Sequence, residues 1–397
     1  MQKGEQVLTT PTNERPSSDL AGRGFSRRGF HKIASFLAAG AALPFYNERA
    51  LAQLSMVRDI PPDAVKINAN ENPLGPCAEA AEAIHAVVQK GGRYMYELTF
   101  EMASTLAEQE GVKFSWNRDA SYVQAFAGSS DPLHRAVLAF CSKDKPFVVG
   151  EPGYEAGGRA AQYIGAKVIP VPLVKGSAIH DVKAMAAAHP SPGLIYVCNP
   201  NNPTGTVTPK ADIEWLVANK PAGAVILLDE AYIHLSKSAV MSSYLVAADK
   251  DLIILRTFSK LYGMAGLRAG AAIGRPDLLE KMNMYAAGAL PVTAMVGANA
   301  SLRAKHVVPE RRDLIARNRE ETFEFLDKQH IEYIPSEANM FMMNAKRPGK
   351  EFFEAMTREK VYIGRVWPVW PTWVRVSVGT RDEMSKFREA CLRCYNS

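Results

Sequence analysis

The sequence predicts an α/β fold, in which a large domain carries a mostly parallel mixed sheet between helices and a smaller α+β domain follows it. Three segments indicate the sheet: LIYVCNP (194–200), AVILLDEAY (224–232) and DLIILRTFSK (251–260). Each contains four or five consecutive apolar residues and then polar residues. Apolar runs of this length are typical of strands buried on both faces. Helical patterns between such strands favour parallel pairing.

Length and composition fit a globular protein with room for two domains. The chain has 397 residues, of which 47% are hydrophobic and 22% are charged. The formal net charge is only +6, and residues 1–52 supply half of it with seven Lys/Arg against four Asp/Glu. No basic stripe with interleaved aromatic residues occurs, so we expect no nucleic-acid partner. No run of about 20 apolar residues occurs either, so we expect no membrane span.

The five cysteines are few and odd in number, which argues against a disulfide framework. Cys391 and Cys394 form a C-x-x-C pair near the C-terminus. A structural zinc site needs four ligands, and no second pair in the sequence complements this one. We therefore expect no metal site and interpret the two thiols as neighbours on one face of the last helix.

The first part of the chain has the pattern of an export signal. In SRRGFHKIASFLAAGAALPF, Arg27 and Arg28 precede a mildly apolar stretch at 33–45, and ALA at 50–52 is similar to a signal-peptidase site. The pattern resembles a twin-arginine signal. It implies a bacterial protein that is exported, for example to the periplasm, with residues 1–52 as the signal peptide. The alternative is an unstructured tail with a chance arginine pair.

The remaining chain divides into three predicted segments. Residues 53–94 lie outside the sheet pattern, and we expect them to form an N-terminal arm that joins the small domain. Residues 95–294 form the large domain. Residues 295–397 form the C-terminal small domain, with a charged helix (ERRDLIARNREETFEFLDKQ), strands at ANMFMMNA and WVRVSVGT, and a last helix at RDEMSKFREACLRCY.

Residues with distinctive chemistry stand at the predicted carboxyl ends of the three strands: Asn199–Gly205, Asp229–Tyr232 and Thr257–Lys260. Ligands of parallel α/β sheets gather beyond these ends. Pyridoxal 5'-phosphate (PLP) needs such residues, because a lysine forms a Schiff base with its aldehyde and a carboxylate keeps its pyridine nitrogen protonated. A helix N-terminus and a cation suit its phosphate.

Five motifs resemble those of fold-type I aminotransferases and, within them, the histidinol-phosphate aminotransferase family. The resemblance extends over residues 65–390, which is nearly the whole chain after the export signal. The motifs are INANENPLGP (67–76), CNPNNPTG (198–205), LLDEAYI (227–233), RTFSKLYGMAGLRAG (256–270) and VRVSVGT (374–380).

The resemblance implies three catalytic residues and PLP as the cofactor. Lys260 corresponds to the lysine of the Schiff base, which also transfers the proton of the substrate's α-carbon. Asp229 corresponds to the carboxylate on the pyridine nitrogen. Tyr232, together with Asn202, corresponds to the donors to the phenolic oxygen of PLP.

Further cofactor contacts are implied by the same resemblance. Tyr154 corresponds to the aromatic residue that stacks on the cofactor ring, although ordinary core packing is the alternative. The amides of Ser129 and Ser130 correspond to a phosphate-binding helix start. The side-chain partners of the phosphate correspond to Thr257, Ser259 and Arg268.

The implied assembly is a homodimer with shared active sites. Tyr94 corresponds to a tyrosine that reaches the phosphate of the cofactor in the neighbouring subunit. Packing within its own subunit is the alternative interpretation.

The implied substrates are a small-molecule amino donor and a 2-oxo acid such as 2-oxoglutarate. Arg375 corresponds to the arginine that binds the carboxylate of the oxo acid, and Asn72 is assigned to the substrate site. Arg365 resembles a second arginine for a substrate anion, and a surface ion-pair partner is the alternative interpretation. Trp367, Trp370 and Trp373 occur at every third position before Arg375. They form either core or dimer contacts or an aromatic wall of the substrate site.

The function implied is amino transfer from an amino acid or a histidinol-phosphate-like donor to a 2-oxo acid. A PLP-dependent lyase or decarboxylase is the alternative on the same fold, because it would keep Lys260, Asp229 and Arg268 without a second half-reaction. A nicotinamide dehydrogenase is disfavoured, since no G-x-G-x-x-G follows a predicted strand. A non-catalytic regulator would normally carry an added DNA-binding domain, which the sequence does not show.

The export hypothesis predicts the N-terminus of the mature protein. We expect the protein recovered from the periplasm to begin near residue 53, as read by N-terminal sequencing. Replacing Arg27 and Arg28 by lysine should abolish export. A mature protein that begins at Met1 would contradict the hypothesis.

Overall fold

A seven-stranded sheet forms the centre of the computed structural model, which describes residues 60–286 and 288–396. We number the strands of both parts of the fold in chain order. They are β1 (Val65–Ile67), β2 (Val123–Phe126), β3 (Phe147–Glu151), β4 (Val168–Pro172), β5 (Leu194–Cys198), β6 (Val225–Asp229), β7 (Leu252–Thr257), β8 (Gly270–Gly274), β9 (Tyr333–Ile334), β10 (Met340–Asn344), β11 (Val361–Ile363), β12 (Val366–Trp367) and β13 (Trp370–Ser377).

The large sheet has the spatial order β2-β8-β7-β6-β5-β3-β4. The pairs from β7 to β4 are parallel. Strand β8 is antiparallel to both of its neighbours, β2 and β7. The prediction of a mostly parallel mixed sheet is therefore confirmed.

The three strands with long apolar runs lie side by side at the centre of this sheet. Every residue of β5, β6 and β7 is buried, which explains why their apolar residues do not alternate with polar ones. In the register, Cys198 lies beside Asp229, and Asp229 lies beside Leu255. The polar residues that follow these strands therefore begin at one edge of the sheet.

Helices flank the sheet and alternate with its strands. They are α1 (Ala78–Val88), α2 (Glu97–Glu110), α3 (Ser130–Phe140), α4 (Ala156–Tyr163), α5 (Val182–Ala187), α6 (Lys210–Asn219), α7 (Ser243–Ala247), α8 (Pro276–Asn283), α9 (Val292–Arg303), α10 (Val307–Lys328), α11 (Gly349–Arg358) and α12 (Arg381–Tyr395). Strand β2 runs in the same direction as β7, because both are antiparallel to β8. Three residues separate the end of β2 from the start of α3. The start of α3 therefore lies at the same sheet edge as the end of β7.

A second, antiparallel sheet follows in the C-terminal part, with the order β12-β13-β10-β9. Its strands β10 and β13 coincide with the apolar segments ANMFMMNA and WVRVSVGT. Strand β1 pairs in parallel with β11 at Val65 and Val361, so the start of the described chain contacts the C-terminal part. The last helix, α12, begins at a capping box formed by Thr380 and Glu383.

The predicted export signal at residues 1–52 lies outside the described residues. Within 60–286 and 288–396, no helix is both long and apolar enough to span a bilayer. The same residues contain no group of three or more His, Cys, Asp or Glu that could hold a metal ion. All five cysteines are free and buried, including Cys391 and Cys394 in α12.

A buried ion triad joins helix α2 to the centre of the large sheet. Arg256, in β7, binds both carboxylate oxygens of Glu110 at 2.7 and 2.9 Å and also pairs with Glu230. All three side chains are at most 3% exposed. Glu230 directly follows Asp229, and Thr257 directly follows Arg256. The triad therefore fixes the ends of β6 and β7, where the predicted site residues begin.

We predict that Arg256→Met lowers the free energy of unfolding by about 3–5 kcal/mol, because two buried carboxylates lose their cation. A urea titration measures the change. The control is Lys386→Met, which removes the exposed pair with Asp382 and should cost less than about 1 kcal/mol. Equal shifts for the two variants would contradict a structural role of the triad.

Candidate active site

Lys260 lies just beyond β7, where its side chain is partly buried. Its Nζ lies 3.4 Å from the carbonyl oxygen of Ala69 and 5.6 Å from the ring centroid of Tyr232. Burial, and after it the positive charge of Arg375, lower the pKa of Lys260 to about 8. A substantial fraction of this amine is therefore neutral near pH 8, as a nucleophile or base requires.

Asp229 ends β6 and is almost completely buried. Its Oδ2 accepts a hydrogen bond of 2.9 Å from the hydroxyl of Tyr196, and its Oδ1 accepts one of 3.1 Å from the amide of Ala231. Burial raises the pKa of Asp229 to about 6, and the two hydrogen bonds oppose this rise. A buried carboxylate of this kind would be stabilised as an anion by a cationic partner such as a protonated pyridine nitrogen.

Tyr232 and Asn202 are held by residues from distant parts of the sequence. The hydroxyl of Tyr232 accepts a hydrogen bond of 3.1 Å from Asn70 Nδ2. The Oδ1 of Asn202 accepts one of 3.0 Å from Arg375 Nη1. Both side chains are buried, and the structure brings them to the same edge of the sheet as Asp229 and Lys260.

The residues assigned to the phosphate form one hydrogen-bonded group. Thr257 Oγ1 donates to Ser259 Oγ at 3.0 Å, and Arg268 Nη1 donates to the same oxygen at 3.3 Å. Arg268 Nη2 also reaches the carbonyl of Ala127, in the loop before α3. Gly128 has φ +80°, and a Cβ there would lie 2.3 Å from Arg268 Nη2. Only glycine lets this guanidinium lie against the start of α3.

Ser129 and Ser130 stand at the N-terminus of α3, with Ser129 as the N-cap residue and Ser130 as the first helical residue. The free amides of a helix start attract an anion. Tyr154 is partly buried; burial raises its pKa, and the nearby side chain of Ser130 opposes this rise. The hydroxyl of this tyrosine therefore lies near the start of α3.

Two residues of the predicted site, Tyr94 and Asn72, contact residues outside that predicted set. Tyr94 is 70% exposed, and its ring stacks on Tyr96 with 5.4 Å between centroids. Its contact with a neighbouring subunit stays a prediction. Asn72 Nδ2 donates to the carbonyl of Leu261 at 2.8 Å, while its Oδ1 accepts from the amide of Leu74. Asn72 therefore links the residue after Lys260, through its Nδ2, to its own loop at Leu74, through its Oδ1.

Arg375 lies in β13 and is buried among polar partners. Besides Asn202, it binds the carbonyl of Asn68 through Nη2 at 2.7 Å, while its buried Nε has no hydrogen-bond partner among the described residues. Burial lowers the pKa of Arg375 to about 10. Its guanidinium remains charged at neutral pH and can attract a substrate carboxylate.

Arg365 is paired with Glu155, which lies at the start of α4. Its guanidinium carbon also lies 4.0 Å from the ring centroid of Trp367. Arg375 lies over the same ring at 5.6 Å. The sequence left open whether Arg365 binds a substrate anion or forms a surface ion pair; in this structure it is paired with Glu155, and only 3% of its side chain is exposed.

The three tryptophans divide into two groups. Trp367 is 2% exposed, lies next to both arginines and donates a hydrogen bond of 3.1 Å to the carbonyl of Gly153. Trp370 and Trp373 contact each other at 5.9 Å and pack against a small apolar cluster that includes Leu173 and Met342. Core packing, one of the two interpretations, describes Trp370 and Trp373; Trp367 belongs to the same apolar cluster and also adjoins the polar site.

Sequence reasoning missed four residues that hold the site together. Tyr196 gave a detectable signal, because a tyrosine in a strand buried on both faces needs a partner for its hydroxyl. Asn68 and Asn70 lie inside a quoted motif, but no role was assigned to them. Asn70 has φ +53° and accepts from Ser377 Oγ at 2.8 Å, which joins it to β13. Glu155 gave no signal.

Known proteins resemble this chain both in sequence and in fold. A family profile described as aminotransferase class I and II matches residues 62–390. The chain belongs to the class I and II aminotransferase family. A histidinol-phosphate aminotransferase from Symbiobacterium thermophilum is 32% identical over 334 residues, which are 83% of this chain and 90% of the relative. An aromatic amino acid aminotransferase from Cutibacterium acnes is also 32% identical, over 83% of this chain and 92% of the relative.

Solved structures share the fold of this aminotransferase. The histidinol-phosphate aminotransferase from Sinorhizobium meliloti, in complex with PLP, has a TM-score of 0.74 and 21% identity over 83% of this chain and 90% of the other. The aspartate aminotransferase from Thermus thermophilus with maleate has a TM-score of 0.72 and 20% identity over 84% and 92%. The predicted fold type is confirmed, and PLP is the cofactor of this family.

The residues of this aminotransferase fit PLP. Lys260 offers a partly neutral amine, and Asp229 offers a buried carboxylate for a cationic ring nitrogen. The helix start at Ser129 and the guanidinium of Arg268 face one another across Gly128, where a side chain would leave no room. This arrangement provides a positive, hydrogen-bonding surface for a phosphate.

The pKa of Lys260 predicts how the cofactor-free protein captures PLP. We expect the rate of capture to rise with pH through about 8, because only the neutral amine attacks an aldehyde. Stopped-flow recording of the visible absorption band measures this rate.

Arg375→Met provides the control for this prediction. Loss of the nearby positive charge should favour the protonated amine and move the midpoint to higher pH. A wild-type midpoint near the ordinary lysine value of 10.5 would contradict the described surroundings of Lys260.

Proposed function

We propose that this aminotransferase moves an amino group from an amino acid or a histidinol-phosphate-like donor to a 2-oxo acid such as 2-oxoglutarate. The observation that carries the proposal is that Lys260 and Asp229 lie at one edge of the large sheet, where Arg375 from β13 binds Asn202. Arg375 is close enough to Lys260 for its charge to lower the lysine's pKa. A base, a ring-binding carboxylate and a carboxylate-binding guanidinium are the groups that amino transfer requires.

Lys260 is the proposed catalytic base and acid. When bound, PLP supplies an aldehyde for covalent attachment and an electron-withdrawing ring that acidifies the α-carbon of the donor. Lys260 Nζ would remove the proton from this carbon and later return a proton. Its lowered pKa lets the same amine act in both directions near neutral pH.

Asp229 and Tyr232 are the proposed polar contacts of the ring, together with Asn202. Tyr196 would hold the carboxylate of Asp229 in place through its 2.9 Å hydrogen bond. Tyr154 would lie against the ring, since its hydroxyl is near Ser130 at the start of α3. The proposed phosphate contacts are Ser129, Ser130, Thr257, Ser259 and Arg268.

Arg375 is the proposed site for the substrate carboxylate, and Arg365 is the proposed site for a second substrate anion. The two arginines are close, because the amide of Arg375 donates to the carbonyl of Arg365 at 3.3 Å. Asn72 would support the substrate site through the residue after Lys260. Relatives named for histidinol phosphate and for aromatic amino acids are equally similar to this chain, which motivates a panel of both donor types.

A homodimer and export complete the proposal. Tyr94 is the proposed contact with the cofactor phosphate of the neighbouring subunit, and its 70% exposed ring is free of the core. The arginine pair at 27–28 supports export through a twin-arginine route, which accepts folded proteins with their cofactor already in place.

We predict that Lys260→Ala abolishes amino transfer and the visible band of the lysine-linked cofactor. The assay is a donor panel of histidinol phosphate, phenylalanine, tyrosine and tryptophan, with 2-oxoglutarate as acceptor and glutamate formation as readout. A Lys260→Ala protein with a normal band would contradict the assignment of this lysine.

The donor panel also tests the reaction type. Stoichiometric glutamate formation indicates amino transfer, whereas consumption of the donor without glutamate would favour the lyase or decarboxylase alternative. Lys281→Ala, in helix α8, is a matched lysine control outside the site and should keep both the band and turnover.

A further inference from the structure

The segment Gly153–Glu155 connects the cofactor site to the two arginines proposed for substrate anions. The carbonyl of Gly153 accepts from Trp367 Nε1 at 3.1 Å. Tyr154 lies near Ser130, whose side chain opposes the rise in the tyrosine's pKa that burial causes. Glu155 is paired with Arg365. Three consecutive residues therefore lie against different parts of the site. Gly153 contacts Trp367, Tyr154 lies near the proposed phosphate site, and Glu155 contacts Arg365.

The ion pair between Arg365 and Glu155 is largely removed from water. The side chain of Arg365 is 3% exposed and that of Glu155 is 17% exposed. One face of the Arg365 guanidinium lies on Trp367. A charge pair in such surroundings is screened less than a surface pair, so a competing anion must displace a firmly held carboxylate.

We propose that Glu155 determines substrate specificity by occupying the anion site of Arg365, so that donors with an uncharged, planar side chain are preferred over donors with a distal anion. This inference rests on the proposed carboxylate site at Arg375. A donor such as phenylalanine uses Arg375 alone and leaves the Arg365–Glu155 pair intact. A donor with a distal carboxylate or phosphate has to separate the pair first.

The structure also provides a second partner for Glu155. Its Oε1 accepts a hydrogen bond of 2.9 Å from Arg159, one helical turn further along α4. The side chain of Arg159 is 39% exposed. When a dicarboxylic 2-oxo acid approaches Arg365, Glu155 can turn towards Arg159 and solvent without losing every charge partner. One site can thus take a neutral donor and an anionic acceptor in successive half-reactions.

The test compares two carboxylates that differ only at the distal end. Beyond its third carbon, glutarate carries a negatively charged carboxymethyl group, and 3-phenylpropionate carries a neutral ring in the place of that group. Their dissociation constants for the PLP-loaded enzyme are measured by calorimetry, which requires no turnover. We expect wild type to bind 3-phenylpropionate more tightly than glutarate.

Glu155→Gln keeps the size of the side chain and removes its charge. We expect glutarate to bind about tenfold more tightly in this variant, while the constant for 3-phenylpropionate changes less than about threefold. Arg159→Gln should have the opposite effect, with glutarate binding roughly threefold more weakly, because Glu155 loses its alternative partner. An unchanged ratio of the two constants in Glu155→Gln would overturn the proposal, as would a wild-type preference for glutarate.

Arg159→Gln carries the test if Glu155→Gln does not load the cofactor, because Arg159 lies at the surface. Unchanged glutarate binding in that variant would then overturn the proposal. The result of this binding test is independent of the result of the amino-transfer assay that tests the proposed function. A wild-type enzyme that transfers no amino group would refute amino transfer, whereas the ratio of the two dissociation constants decides the role of Glu155.

Discussion

The contacts of one buried guanidinium, that of Arg375, join the parts of the fold from which the active site is built. Arg375 comes from β13 in the C-terminal sheet, and it binds Asn202 beyond β5 and the carbonyl of Asn68 beyond β1. Removing an arginine from water is unfavourable unless such hydrogen bonds replace the lost hydration. The positions of these elements therefore depend on one another, and the charge of Arg375 reaches Lys260 at the end of β7.

The electrostatic balance of the site follows from that arrangement. Burial disfavours the charged forms of both Lys260 and Asp229, which lowers the pKa of the lysine and raises that of the carboxyl group. Arg375 lowers the lysine's pKa further, while the charge of Lys260 favours the ionised form of Asp229. The two pKa values, about 8 and about 6, thus lie on either side of neutrality. At pH 7 the ammonium form of Lys260 and the carboxylate form of Asp229 therefore both still predominate, although burial has brought each closer to neutralisation.

Sequence patterns predicted the features that depend on neighbouring residues in the chain. The apolar runs located β5, β6 and β7, since strands buried on both faces must be apolar throughout. The polar residues at their ends then shared one edge because parallel strands point the same way. Contacts between distant segments were not predictable in this manner. Arg256 binds Glu110, which lies 146 residues away in the sequence. A lone charged residue at a helix end gives no indication of its partner.

The same distinction separates the chemistry of the site from its specificity. Lys260, Asp229 and Asn202 belong to recognisable motifs, because the cofactor demands particular groups directly after particular strands. The proposed determinant of specificity depends instead on a contact between distant segments, since Glu155 and Arg365 are 210 residues apart in the sequence. Either residue alone is a common surface-type side chain in the sequence. Their pairing beside Trp367 is a contact between distant segments that no motif predicts.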